Sequence, residues 1–314
     1  MSKIISVIGA TGTQGGSVVD ALQKDNSIYT IRAITRNPNS DAAQALTAKG
    51  IKVVQADASD VASLVRAFEG SSAIFALTDF VAPFAASGPD HAVEVESTQG
   101  INLAKAASQI PSLEHYIWST LPNSRELSGG KIVVPHFDSK NRVDEYIKSN
   151  PALLSKTTFL LPGFFAENYL FPMLAPIEVP GTGQYLQLGC TSADSQFPSI
   201  GHARSNVGPF VSAILAQPEK TLPAKRVAAY TEVTSLGEML ETWSRVKGKK
   251  AYYTRVDRKV YDALFPLWGD EIGIMMEYFD AVPDTKWDKG GDTLNKDDLG
   301  VDGLVDVEAA LRLY

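Results

Sequence analysis

Lys3-Ile4-Ile5-Ser6-Val7-Ile8-Gly9-Ala10-Thr11-Gly12-Thr13-Gln14-Gly15-Gly16 is the stretch on which the reading of this chain turns. A β-branched run stops at glycines, and a helical pattern begins near Gly15, so the segment reads as strand, tight turn and helix. Gly9 allows a sharp turn, Gly12 allows close backbone approach, and Gly15 lets the helix start pack on the strand end. Such a turn directs free N–H groups and the positive end of the helix dipole at one place, which suits a pyrophosphate. The spacing alone is weak; the strand before it and the helix after it make it specific. Thr11, Thr13 and Gln14 share the turn and join Gly9, Gly12 and Gly15 as candidate cofactor-binding residues.

Working outward, short β-branched runs alternate with amphipathic stretches. Strands are expected at residues 3–8, 29–35, 52–55, 73–77, 115–119 and 157–161, with helices starting near Gly15, Asp41, Asp60, Ala92 and Phe137. This rhythm predicts an α/β fold, a doubly wound parallel Rossmann sheet of about six strands. Two long connections, 78–91 and 121–135, follow strand C-termini, the edge where open α/β sheets bind ligands. After Pro162 the rhythm breaks at Pro172, Pro176 and Pro180. Residues 1–162 are therefore expected to form the NAD(P)-binding domain and 163–314 a smaller α+β lobe for substrate or partner, with an approximate boundary that allows interleaving. In the lobe, helices are expected at 204–216, 235–246 (capped by Thr234 or Ser235), 259–264 and 270–281, and strands at 227–230 and 251–256. Its aromatics, among them Trp243, Tyr252, Tyr261, Trp268, Tyr278 and Phe279, supply either core or an apolar cover for a substrate.

The end of the second strand chooses the cofactor. NAD-preferring sites place a carboxylate there, whereas this chain has Thr35-Arg36-Asn37. A guanidinium matches a 2′-phosphate in charge and fork geometry, so Arg36 points to NADP(H), with NAD(H) second and Arg32 and Asn37 as helpers. After the third strand, Asp57 either accepts from the adenine amino group or caps the next helix, and Ala58 lies beside it. Leu77 and Thr78 close the fourth strand and line the cofactor's path.

Composition removes several function classes. Of 314 residues, 44% are apolar and 21% charged, the balance of an ordinary globular protein. A net charge of −7 lacks the positive field that nucleic acid or anionic membrane requires, so direct binding to either is not expected. A lone Cys190 cannot form an intramolecular disulfide, which fits a reducing, cytoplasmic setting, or a nuclear one for a regulator; packing filler is its expected role. No 18 consecutive apolar residues occur, and the N-terminal run is too short for a signal peptide. His91 and His202, placed in loops, show no metal-ligand spacing with His115 and Cys190, so no metal is expected. Absence of Gly-x-Ser-x-Gly removes the α/β-hydrolase reading. Monomer and homodimer both stay open.

The Gly9 to Gly16 turn, Thr35-Arg36-Asn37-Pro38, His115 to Pro122, His136-Phe137-Asp138-Ser139-Lys140, Leu161 to Asn168 and Ser205-Asn206-Val207-Gly208-Pro209 together resemble the NmrA-like family of atypical short-chain dehydrogenase/reductases. The resemblance implies NAD(P) binding and either of two activities: reduction of a small molecule, or non-catalytic sensing that involves a protein partner. It also places Pro162, Phe164 and Asn168 near the nicotinamide. Short-chain enzymes use a Tyr-x-x-x-Lys pair, yet none of the 11 tyrosines here has a lysine four residues later. The equivalent segment keeps Lys140 and has His136 one helical turn before it. Lys140 would hold the nicotinamide ribose; His136 is a proton donor, a structural group or a sensor of cofactor charge. Ser119, or Thr120, would orient a substrate carbonyl. The favoured reading is an NADPH-dependent reductase of a small apolar carbonyl, imine or enone bound between the lobes; the alternative is an NAD(P)-sensing regulator.

Overall fold

A run buried on both faces has no need to alternate, and that is how the central strands read. β4 (Ala73–Ala76) and β5 (His115–Ser119) are buried at every position. They lie beside β1 (Lys3–Ile8), β2 (Tyr29–Thr35), β3 (Lys52–Gln55) and β6 (Thr157–Pro162) in the computed structural model, which describes residues 3–24, 28–282 and 292–314. The later strands are β7 (Phe164–Phe165), β8 (Ile177–Val179), β9 (Gln184–Gly189), β10 (Gln196–Gly201), β11 (Arg226–Ala229), β12 (Glu232–Ser235), β13 (Lys250–Arg255) and β14 (Thr293–Leu294). The main sheet runs β14-β11-β6-β5-β4-β1-β2-β3 and is parallel throughout. Strand order reverses between β1 and β4, which opens the ligand crevice at their C-terminal ends.

The sheet has eight strands rather than about six, because the chain beyond residue 162 returns to it. β11 pairs with β6 and β14 with β11. The helices of the first part are α1 (Thr13–Lys24), α2 (Asp41–Ala48), α3 (Val61–Phe68), α4 (Val81–Ser108), α5 (Ser124–Leu127), α6 (Pro135–Lys148) and α7 (Pro151–Leu154); α8 (Ala203–Ala216) then packs on α1. A Cβ on Gly208 would lie 2.1 Å from the Ser17 carbonyl oxygen, so these helices meet backbone to backbone. The Gly208 N–H donates to Ser17 Oγ at 2.8 Å.

Several expected boundaries move. α1 begins at Thr13, two residues before Gly15, and α6 at Pro135, a residue suited to the first helical position. The 78–91 connection is mostly helical, since α4 starts at Val81 and breaks only at Ser87 and Gly88, where φ reaches 79°. Pro83 is tolerated in the first turn, and Pro89 restarts the helix after the break. His91 consequently lies in a helix and not in a loop.

Two smaller sheets, β12-β10-β7 and β13-β9-β8, complete the lobe with helices Leu236–Lys247, Arg258–Leu264 and Trp268–Ala281. Ser235, and not Thr234, caps the first of these in a capping box with Glu238. Tyr261, Tyr278 and Phe279 are core, while Tyr252 is exposed. Cys190 is buried and burial pushes its thiol up to about 11, as expected of a packing residue. Among the described residues no helix is long and apolar enough to cross a membrane, and no three metal-ligating side chains cluster.

Candidate functional site

At the glycine turn, Gly9 adopts φ 65° and its carbonyl accepts from Gly12 N–H at 2.8 Å. The Gly16 N–H to Gly12 carbonyl bond, 3.0 Å, is the first of α1, so the N–H groups of Thr13, Gln14 and Gly15 have no helical acceptor. A Cβ on Gly15 would lie 2.3 Å from the Gly9 oxygen, which makes glycine obligatory for packing helix on strand. At Gly12 a Cβ would meet nothing closer than 3.4 Å, so only an approaching ligand demands glycine there. Leu77 packs over Gly9, while Thr11, Gly12 and Thr13 are exposed. This cradle fits a dinucleotide pyrophosphate.

Beyond the turn, Arg36 is exposed at the end of β2, and its guanidinium has no ion-pair partner among the described residues. Arg32 is not a helper. It is buried and donates to the Ala67 and Glu69 carbonyls at 2.8 and 2.7 Å, closing the C-terminal end of α3. Asn37 Oδ1 accepts from Asn39 N–H, and Asp57 Oδ1 from Ser59 N–H at 2.7 Å, so each side chain braces its own turn. Asp60 caps α3, which leaves the second oxygen of the exposed Asp57 carboxylate available. The Ala58 carbonyl accepts from Asn102 Nδ2.

A cavity of about 650 Å³ opens where the C-terminal ends of β4, β5 and β6 meet the helix Trp268–Ala281. Thr13, Gln14, Thr78, Ser119, His136, Lys140, Pro162, Phe164 and Asn168 line it. Gly9, Thr11, Gly12, Gly15, Arg36, Asn37, Asp57, Ala58 and Leu77 do not, and belong to the open shelf along the sheet edge. The candidate residues therefore fall into a polar shelf and a half-open chamber joined at Thr13 and Gln14. Phe80, Phe137, Phe164, Phe165, Phe171, Trp268 and Phe279 give the chamber mainly aromatic walls.

Inside it, two buried carboxylates absent from the sequence-based set organise the basic residues. Glu96 on α4 accepts from Lys140 Nζ at 2.9 Å, from Thr78 Oγ1 at 2.8 Å and from Ser139 Oγ. Lys140 donates also to Thr78 Oγ1 at 3.0 Å and more weakly to the Thr78 carbonyl at 3.4 Å, above the Trp118 ring. All three ammonium protons thus have protein acceptors, and the 3.4 Å contact is the one a ribose hydroxyl would displace. Glu271, from the second lobe, accepts from both Nδ1 and the backbone N–H of His136, leaving Nε2 as the unbonded ring nitrogen. Ser119 Oγ donates to Gln14 Oε1 at 2.7 Å, tying the end of β5 to the glycine turn. Thr120 instead turns to Asp144, which also accepts from Trp118 Nε1 and whose pKa burial raises to about 6. A sequence signal existed for Glu96: it falls in the stripe Ala92, Val93, Glu96, Ser97, Gly100, where a carboxylate on an apolar helical face calls for a partner. Glu271 offered none, since its partner is 135 residues away.

A family model described as the NmrA-like family matches residues 1–306. The chain belongs to the NmrA-like family. The NmrA-like family domain-containing oxidoreductase ptmS of Penicillium ochrochloron is 33% identical over 273 residues, 83% of this chain and 78% of the relative. Among solved structures, NmrA, a negative transcriptional regulator in complex with NADP, superposes with a TM-score of 0.76 at 22% identity, covering 99% of this chain and 95% of that one. The NADPH-dependent quinone oxidoreductase QOR2 of Escherichia coli, complexed with NADPH, gives 0.72 at 19% identity, covering 98% of each chain. In this NmrA-like protein the shelf, the chamber and their junction all lie at the C-terminal edge of the parallel sheet.

Proposed function

We propose that this NmrA-like protein is an NADPH-dependent oxidoreductase acting on a small, largely apolar carbonyl, imine or enone. One observation carries the reading: a glycine turn suited to pyrophosphate opens directly into an aromatic chamber whose wall bears Lys140 and His136 on one face of α6. Arg36 would meet the 2′-phosphate, and the free N–H groups of Thr13, Gln14 and Gly15 the pyrophosphate. When bound, the reduced nicotinamide supplies hydride. Of the chain's own groups, Lys140 braces Thr78, the aromatic walls give the reacting carbon an apolar surround, and Glu271 orients His136 so that in its imidazolium form, with Nδ1–H held by Glu271, the Nε2–H can pass a proton to the product. The oxidoreductase name of the Penicillium relative and the NADP and NADPH held by the structural neighbours support the assignment.

A second reading, a nucleotide-sensing regulator, is favoured by the replacement of tyrosine with His136 and by the protein acceptors that already occupy Lys140 and Ser119. Titration with NADPH, NADP, NADH and NAD, followed by absorbance assays of reduced nicotinamide against carbonyls, quinones and imines, separates the two. Consumption of NADPH is expected; tight binding without turnover on any substrate would favour the regulator.

A further inference from the structure

We propose that the carbonyl substrate is longer than the chamber: its reacting end lies inside, and an apolar tail runs out over a rim formed by Val81, Leu170 and Phe171; this rests on the reductase reading. All three residues line the one opening. They are 49%, 58% and 45% exposed, whereas Phe80, Met173, Leu174 and Phe279 in the walls are buried. Wall and rim adjoin in the chain, since Phe80 precedes Val81 and Phe171 stands two residues before Met173. The fold itself holds the rim out toward water. Leu170 ends the short 3-10 helix Ala166–Leu170, whose Tyr169 is buried and donates from its hydroxyl to Gln187 Oε1 at 2.8 Å. The Phe171 N–H donates to the Asn168 carbonyl at 3.0 Å, and the Phe171 carbonyl accepts from the Leu174 and Ala175 N–H groups at 2.9 and 2.8 Å. Apolar side chains scattered singly over a surface need no partner, but three on the edge of one cavity mark a ligand groove.

Polar groups decide which end of such a ligand enters. His136 Nε2 is unbonded, and the amides of Gln14 and Asn168 keep donors without acceptors among the described residues, so a carbonyl oxygen finds hydrogen bonds inside the chamber. The side chains of Val81, Leu170 and Phe171 carry no donor or acceptor, so nothing they offer holds a polar or charged group. An alkyl chain leaving the half-open chamber covers them, and affinity grows with the apolar area taken from water. Hydride and proton are both delivered at the carbonyl, so the tail contributes binding alone and is read in KM rather than in kcat.

The test is titration of the protein, saturated with NADP+ that cannot reduce a ketone, by the straight-chain methyl ketones from 2-hexanone to 2-undecanone. Binding is followed by tryptophan fluorescence, to which Trp268 in the chamber wall contributes. Affinity is expected to rise by about two- to fourfold for each added methylene, the range for a partly to a fully buried CH2. The double substitution Leu170→Ser/Phe171→Ser is expected to leave 2-hexanone affinity unchanged and to weaken 2-undecanone by about tenfold. Should the double variant fail to fold, Val81→Ser makes the same comparison, with a loss of about threefold for the long ketone alone. No binding of any ketone, an equal loss for short and long ketones, or a rise with length that survives the substitutions overturns the inference. So does a dimer that the double substitution dissolves, which would seat a second copy on the rim. A rise with length that depends on the rim, without NADPH consumption on any carbonyl, would uphold the tail groove and sink the reductase reading; NADPH-consuming turnover with no gain for long ketones would do the reverse.

Discussion

Arg36 is a residue whose whole case is electrostatic. It is exposed, it closes no ion pair among the described residues, and it stands where a 2′-phosphate distinguishes NADP from NAD. Arg36→Ala is expected to weaken NADP by about 1.5–3 kcal/mol, the range for a lost charged hydrogen bond, and NAD much less. Parallel titrations check this, and equal losses would remove Arg36 from the site. Asp144 gives a prediction of a different kind. Its pKa is raised from 3.8 to about 6 in the fold by burial, so the folded state binds the extra proton between those values. Stability from this group is full below the unfolded pKa and is lost as pH rises through the folded one. Between about pH 4 and pH 7 the wild type should lose on the order of 2–3 kcal/mol relative to Asp144→Asn, which keeps an acceptor for Trp118 and Thr120 but cannot ionise. Urea midpoints of both proteins across that range measure it; a constant difference would mean that Asp144 does not titrate there.

At the scale of elements, α6 is the organising piece. His136, Lys140 and Asp144 stand at successive four-residue steps on one of its faces, and each meets a different element: the helix Trp268–Ala281, α4, and the end of β5. The sequence displayed that spacing, and the His136 to Lys140 step was legible from it. What it did not display was that Lys140 arrives already paired, because Glu96 stands on another helix 44 residues away and only packing of α4 on α6 brings the two together. The contact of α1 with α8 is the other decisive element pair. Gly208→Ala would push a methyl group into the Ser17 carbonyl, and an overpacking cost of about 1–3 kcal/mol is expected. Chemical denaturation checks the loss, and a weakened nucleotide affinity should accompany it because Ser17 lies in the helix that begins at the glycine turn.

For the whole molecule, the return of the chain to its first sheet matters most. Residues 1–162 alone would lack β11, which covers the edge of β6, and α8, which covers α1. The apolar faces of α1 and β6 would then meet water, so a fragment ending at 162 should fail to unfold cooperatively, whereas the full chain should show one transition. Circular dichroism against urea distinguishes these, and a fragment with its own sharp transition would argue for an independent domain. The lobes also meet at His136 and Glu271. Glu271→Ala would leave two His136 donors without their acceptor, one of them half-buried, and is expected to cost about 1–3 kcal/mol, read in the same denaturation experiment.

The sequence by itself determined what is local. The strand, glycine turn and helix from Lys3 onward, the buried parallel strands, the positive group at Arg36 and the one-turn spacing of His136 and Lys140 all follow from periodicity and backbone sterics acting over a few residues. Only the tertiary structure decided which charges are neutralised and which remain to act. Glu96 meets Lys140 across 44 residues of chain and Glu271 meets His136 across 135. A carboxylate's state depends on what surrounds it once water is excluded, and that surrounding is assembled by packing between distant segments rather than by the residues beside it in the chain.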